Sequence, residues 1–165
     1  MRGKEGTEMW EALEQTGWVK TLGSTGWMYS TVSVTHYLTM FWFIGSVAVV
    51  DLRVMGLAAR RRGLAELAEQ LFPWAWIGFM FAVIYGFLMF ATDAGDWAPS
   101  KVFHVKLTLI AVSAVFAFIV QRGARKWALD PEVPRAAKII ALISLLLWVA
   151  TILSASEIPA LEGLG

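Results

Sequence analysis

His36 and His104 are the two histidines of a 165-residue chain, and each lies in an apolar stretch long enough to cross a membrane. Placing an ionisable group at that depth is costly, so such residues usually serve a function. Neutral imidazole binds metals through either ring nitrogen. Two imidazoles at similar depth, on helices running the same way, suit the axial positions of one flat metal cofactor, and haem b is the first candidate. Cysteine is absent, which excludes disulfides, iron–sulfur ligation and covalent c-type haem attachment. Copper is the alternative, with Met28, Met40, Met80 and Met89 as thioether donors. No Met-x-x-Met or His-x-x-Met cluster supports it, and scattered methionines in apolar helices ordinarily pack. Zinc asks for more ligands than two histidines offer.

The helical neighbours of each histidine extend the candidate site. His36 shares a stripe with Tyr29, Ser33, Met40 and Phe43, and His104 shares one with Trp97, Ser100 or Lys101, Thr108 and Ala111. Ser33 and Met40 would line a porphyrin edge. Thr108 would orient the His104 turn, and Lys101 would meet a haem propionate. Lys106 is the candidate catalytic residue, as a counter-charge or proton donor, unless its stem simply snorkels to the surface. The competing reading of both histidines is a hydrogen bond across a helix bundle.

These residues need membrane-spanning helices to position them. The chain is 58% hydrophobic and 16% charged, against about 25% charged in soluble domains. Apolar runs over 27–50, 72–92, 102–120 and 137–156 each approach the ~20 residues that cross a bilayer, and in lipid they must be helices. Short connections predict an all-α, up-down-up-down four-helix bundle over 27–156. A short tail follows at 157–165. The segment 1–26 lacks the apolar core of a signal peptide, so the first span is expected to direct insertion. Within it, residues 7–22 read as one amphipathic interfacial helix. Trp10, Leu13, Trp18 and Leu22 share one face, with Glu8, Glu11 and Glu14 largely on the other. It would tether, cap the cofactor or dock a partner.

Arg53 and Arg60 to Arg62 follow the first span, and Arg122, Arg125, Lys126, Arg135 and Lys138 follow the third. The positive-inside rule then puts both termini outside, in the periplasm for a bacterial inner membrane. His36 lies nine residues inward of Trp27 and His104 seven inward of Trp97, roughly 13 and 10 Å at ~1.5 Å per residue. Both therefore fall in the outer half. Gly78, Ala82 and Gly86 form a small-residue stripe, for packing within the bundle or a homo-oligomer seam. Asp51 and Arg53 read as a local pair at the inner end of the first span. Pro131 to Pro134 reads as a turn. A net charge of +1 and the lack of a basic face with stacking aromatics argue against a nucleic-acid partner.

The stretch Phe41-Trp42-Phe43-Ile44-Gly45 after His36 resembles the first helix of bacterial four-helix membrane protoporphyrinogen oxidases, which contain haem. Phe103-His104-Val105-Lys106-Leu107 is similar to their His-x-Lys-Leu motif. The resemblance covers about a third of the chain. It implies that His36 and His104 ligate haem and that Lys106 serves activity. Spacing departs by one residue between His36 and Gly45. Asp51-Leu52-Arg53-Val54-Met55-Gly56-Leu57 instead resembles a poorly characterised four-helix group of the same haem and copper-resistance superfamily.

The resulting expectation is a membrane-bound cytochrome b with one bis-histidine haem, moving electrons between a periplasmic donor or superoxide and quinone or a redox partner. Porphyrinogen oxidation, copper binding or transport, and an anchor-subunit role are the alternatives.

Overall fold

The computed structural model describes residues 2–130 and 132–162, with side chains from 8 to 154 apart from residue 131. It is all-α. Helices α1 (Arg2–Glu14) and α2 (Gly17–Ser24) precede α3 (Gly26–Val54), α4 (Leu64–Thr92), the short α5 (Ala94–Trp97), α6 (Lys101–Trp127) and α7 (Arg135–Glu162). The four long helices are each apolar and long enough to span a membrane, which makes this a multi-pass membrane protein. They pack as an antiparallel bundle. The most extensive interfaces join α3 to α4 and α6 to α7. Helix α7 also packs on α3, the α4–α6 seam is sparser, and α3 and α6 barely meet across the diagonal.

All four spanning helices extend beyond the apolar runs. Helix α4 begins at Leu64 and runs through Pro73, because Leu64, Leu67 and Ala68 bury an amphipathic stripe before the hydrocarbon-like run begins. Helix α6 continues to Trp127 because Ala124 still faces the core. Helix α7 continues through Glu162, so most of the expected tail at 157–165 is helical; residues 163–165 lie outside the described chain. Pro131 of the expected turn also lies outside it.

Helix α3 ends at a stop written in the sequence. Leu57 N–H donates to Leu52 O at 2.9 Å and Gly56 N–H to Arg53 O at 3.0 Å. Gly56 takes φ +76°. This is a Schellman cap, in which a left-handed glycine lets the chain satisfy the last helical carbonyls.

The expected single helix over 7–22 is two helices. At Thr16 the backbone turns extended (ψ 142°) and its hydroxyl donates to Leu13 O at 2.6 Å, which ends α1. The pieces then dock separately. Trp10 meets Phe90 edge-on at 5.5 Å, while Val19 and Leu22 of α2 are buried where it packs on α3 and α4. Glu14, expected on the polar face, accepts the Gly95 N–H at 2.6 Å. The N-terminal helices thus cover the end of the bundle where α3 and α6 begin.

The side-chain core occupies the opposite half. Phe43, Val47, Val50 and Val54 of α3 pack with Phe72 and Ala75 of α4, Ala117, Val120 and Ala124 of α6, and Ala141 and Trp148 of α7. Phe43 anchors this cluster, with its ring 4.9 Å from Trp148 and 4.8 Å from Phe79.

Candidate functional site

The buried positions on each helix repeat at alternating steps of three and four, and this repeat fixes which residues face inward. On α3 it runs Phe43, Val47, Val50 and Val54. Extended upward, it passes through Met40, His36, Ser33 and Tyr29, all half-buried. His36 is therefore on the inward stripe. On α6 the repeat runs Ala124, Val120, Ala117 and Ser113. Its continuation is Ile110, Lys106 and Phe103, again half-buried. Lys106 faces inward and lies within electrostatic reach of His36. His104 is two residues from Lys106, roughly 200° around a helix of 3.6 residues per turn, and is exposed.

The histidines also differ in depth. Phe90 of α4 stacks on Phe103 of α6 with centroids 5.1 Å apart. His36 meets α4 deeper, at Ala82 and Gly86. His36 thus sits about five residues below the level of His104, roughly 7 Å at ~1.5 Å per residue. The structure brings His36 and Lys106 to one interior; it does not bring His36 and His104 together. Helical spacing alone could not orient α6, because both its faces are apolar. The signal that orients it is the run of small inward residues further along.

Both imidazoles nevertheless share one arrangement. His36 Nδ1 is 2.8 Å from Ala82 O, and His104 Nδ1 is 2.7 Å from Ser100 O. A carbonyl oxygen only accepts, so Nδ1 carries the proton in each. Neutral imidazole then presents the Nε2 lone pair, and an Nδ1–H held by backbone carbonyl is the usual outer partner of a metal-bound histidine. Thr108, exposed on the His104 side, donates to His104 O at 2.8 Å and steadies that turn. Lys101 is exposed at the start of α6. Phe103 bridges the Phe90 ring to Trp97, whose centroid is 6.2 Å away.

Around His36 most side chains of α3, α4 and α6 are at most half-buried. Among the described residues, none from Gly26 to Trp42 of α3, from Val83 to Phe90 of α4, or from Lys101 to Val112 of α6 is fully buried. Glycine permits the close approach of α3 and α4. A Cβ on Gly86 would lie 3.0 Å from His36 Cε1, and one on Gly78 would lie 2.9 Å from Trp42 Cδ1. The Gly78–Ala82–Gly86 stripe thus serves α3–α4 packing within the chain and seats the His36 ring.

For a haem, this arrangement supplies one inward imidazole with its Nε2 available and an inward ammonium for an anionic group. The described residues hold no cluster of three or more His, Cys, Asp or Glu suited to a bare metal ion. Met40, one turn from His36, packs against the core cluster.

Residues 10–158 match the family described as Family of unknown function (DUF6644). No curated protein and no solved structure matches the chain.

Proposed function

We propose that this chain, which belongs to that family of unknown function, is a membrane-bound haem b redox protein whose site lies at the end covered by α1 and α2. The observation that carries the reading is the inward His36, with Nδ1 committed to Ala82 O, in the half of the bundle where most described side chains of α3, α4 and α6 are at most half-buried. His36 would be the axial ligand from inside the bundle. Lys106 would neutralise a propionate or draw an anionic reactant such as superoxide. His104, on the outer flank of α6, is the candidate for the second ligand where a neighbouring copy or a redox partner meets this face. When bound, haem would supply one-electron chemistry, tuned by ligation and burial. The protein's own contributions are the fixed imidazole tautomer, the inward cation and the cover formed by α1 and α2. The basic residues at the other end favour placing the haem end on the periplasmic side of a bacterial inner membrane, where electrons would pass between a periplasmic donor or superoxide and quinone.

Porphyrinogen oxidation is the second reading, and the position of Lys106 favours it. An ammonium on the same interior as His36 is placed to bind a porphyrin carboxylate.

The test is a reduced-minus-oxidised visible spectrum with a pyridine haemochrome assay on the purified protein. A b-type spectrum that disappears in His36→Ala supports the site. In His104→Ala, retained haem with a changed spin state marks His104 as the second ligand, and an unchanged spectrum excludes it. A folded, colourless wild type after haem supplementation would overturn the haem reading.

A further inference from the structure

The motif Asp51-Leu52-Arg53-Val54-Met55-Gly56-Leu57 divides into two parts. Leu52, Gly56 and Leu57 build the Schellman stop. Asp51 does something else. It is one of only four aspartates in the chain, and the other three, Asp93, Asp96 and Asp130, are exposed. Asp51 has no exposed surface, and neither of its carboxyl oxygens has a hydrogen-bond partner. Its stripe-mates on α3 are Val47, Val50 and Val54, all buried. Across the α3–α7 interface, the fully buried Ser144 hydroxyl lies close enough to interact with it, yet stops short of hydrogen-bond geometry. One turn along α7, the buried Trp148 Nε1–H is likewise without a partner.

No cation among the described residues answers this carboxyl. On its own helix, Arg53 is turned to the loop, where its Nε donates to Arg62 O at 2.9 Å. On α4, Glu66 and Glu69 are exposed, and Glu69 pairs with Arg125 of α6 at 2.9 Å. Arg122 of α6 lies over the Phe118 ring. Lys138 of α7 is exposed and lines a cleft of 540 Å³ at the basic end of the bundle. That ion pair between Glu69 and Arg125 is the one salt bridge among the described residues.

A buried carboxylate without a counter-charge is among the most unfavourable groups a protein can hold, and it is relieved by taking up a proton. A metal ion is a poorer answer: the described residues hold no group of three or more His, Cys, Asp or Glu that could ligate one, and helical carbonyls are engaged in backbone hydrogen bonds. A proton needs no coordination shell. It also turns the carboxyl into a donor and an acceptor at once, so its hydroxyl can donate to Ser144 Oγ.

We propose that Asp51 is a proton-binding site, occupied in the resting protein, hydrogen-bonded through Ser144 and exchanging with water in the basic-end cleft. That cleft reaches Val54, the next stripe residue after Asp51 and one helical turn away. The inference stands independently of the haem reading, since the site lies in the opposite half of the bundle.

The test is carbon-13 NMR of the full-length protein in lipid, labelled at the aspartate side-chain carboxyl. In wild type at neutral pH, one of the four signals should have the protonated-carboxyl shift and three the carboxylate shift. The protonated signal should disappear in Asp51→Asn, move in Ser144→Ala, and convert reversibly to carboxylate as the medium is made alkaline. Four ionised signals in wild type, or a protonated signal that survives Asp51→Asn, would overturn the proposal. A protonated signal unresponsive to alkaline medium while the protein stays folded would overturn its exchange with water. The wild-type spectrum reads the state of Asp51 even if a variant fails to fold.

Discussion

His36 donates its Nδ1 proton to the Ala82 carbonyl across the α3–α4 interface at 2.8 Å, and Gly86, one turn beyond Ala82, leaves room for the ring. Gly86→Ala keeps the ligand and disturbs only its seat, because the new methyl would stand 3.0 Å from Cε1 and 3.3 Å from Nδ1. The expected outcome is a several-fold fall in haem per chain with the helical content unchanged. Gly45→Ala is the control, since a Cβ there meets nothing within 4 Å. Pyridine haemochrome titration and circular dichroism on the two variants provide the comparison.

Lys106 is the inward cation, whereas Lys101 is exposed. Fields focused in a cleft raise encounter rates with charged reactants by about 10- to 1000-fold. Lys106→Gln should therefore slow reduction of the haem by an anionic reductant such as dithionite by at least about tenfold. It should also flatten the dependence on ionic strength, with haem content preserved. Lys101→Gln should do much less. Stopped-flow reduction at two salt concentrations reads both effects, and equal responses in the two variants would remove Lys106 from the role assigned to it.

Residue spacing made much of the bundle legible. The apolar runs identified all four spanning helices, and the stripe Tyr29, Ser33, His36, Met40, Phe43 proved to face inward and continue into the core. The rotation of α6 was not legible. In lipid both faces of a helix are apolar, so the contrast that orients a soluble amphipathic helix is weak. Lys106 read equally as an inward counter-charge and as a stem snorkelling to the surface until the inward positions Ser113, Ala117, Val120 and Ala124 oriented the helix. Asp51 was obscured by its place at the end of a span, where charge is normally interfacial; its continuity with Val47, Val50 and Val54 is what marks it as interior. The break at Thr16 leaves no mark in the amphipathic spacing, because the apolar face continues across it.

Among the described residues the sparse α4–α6 seam carries two polar links: the exposed ion pair Glu69–Arg125 at 2.9 Å and a half-buried clasp, Trp76 Nε1–H to Gln121 Oε1 at 2.7 Å. Gln121→Leu leaves the indole N–H unpaired, which costs about 1–3 kcal/mol. Trp76→Phe combined with Gln121→Leu removes both polar partners and should recover much of that loss. Thermal unfolding in detergent of wild type, both single variants and the double variant forms the cycle. Simple additivity of the two single losses would mean that the clasp holds nothing across the seam.

Glu14 joins the N-terminal cover to the α4–α6 connection by accepting the Gly95 N–H at 2.6 Å, at the start of α5. A hydrogen bond to a charged group contributes about 1.5–3 kcal/mol, and a carboxylate at a helix start also meets a favourable dipole. Glu14→Ala should release α1 from α5 while α2 stays anchored by the buried Val19 and Leu22. Hydrogen–deuterium exchange should then show protection lost over α1 and α5 and retained in α3 and α4, with the unfolding temperature of the bundle little changed. If α1 covers the haem end, the same variant should also make the haem more accessible to a water-soluble reductant. Faster exchange in α1 without faster haem reduction would separate a tether from a cap, because only a cap controls access.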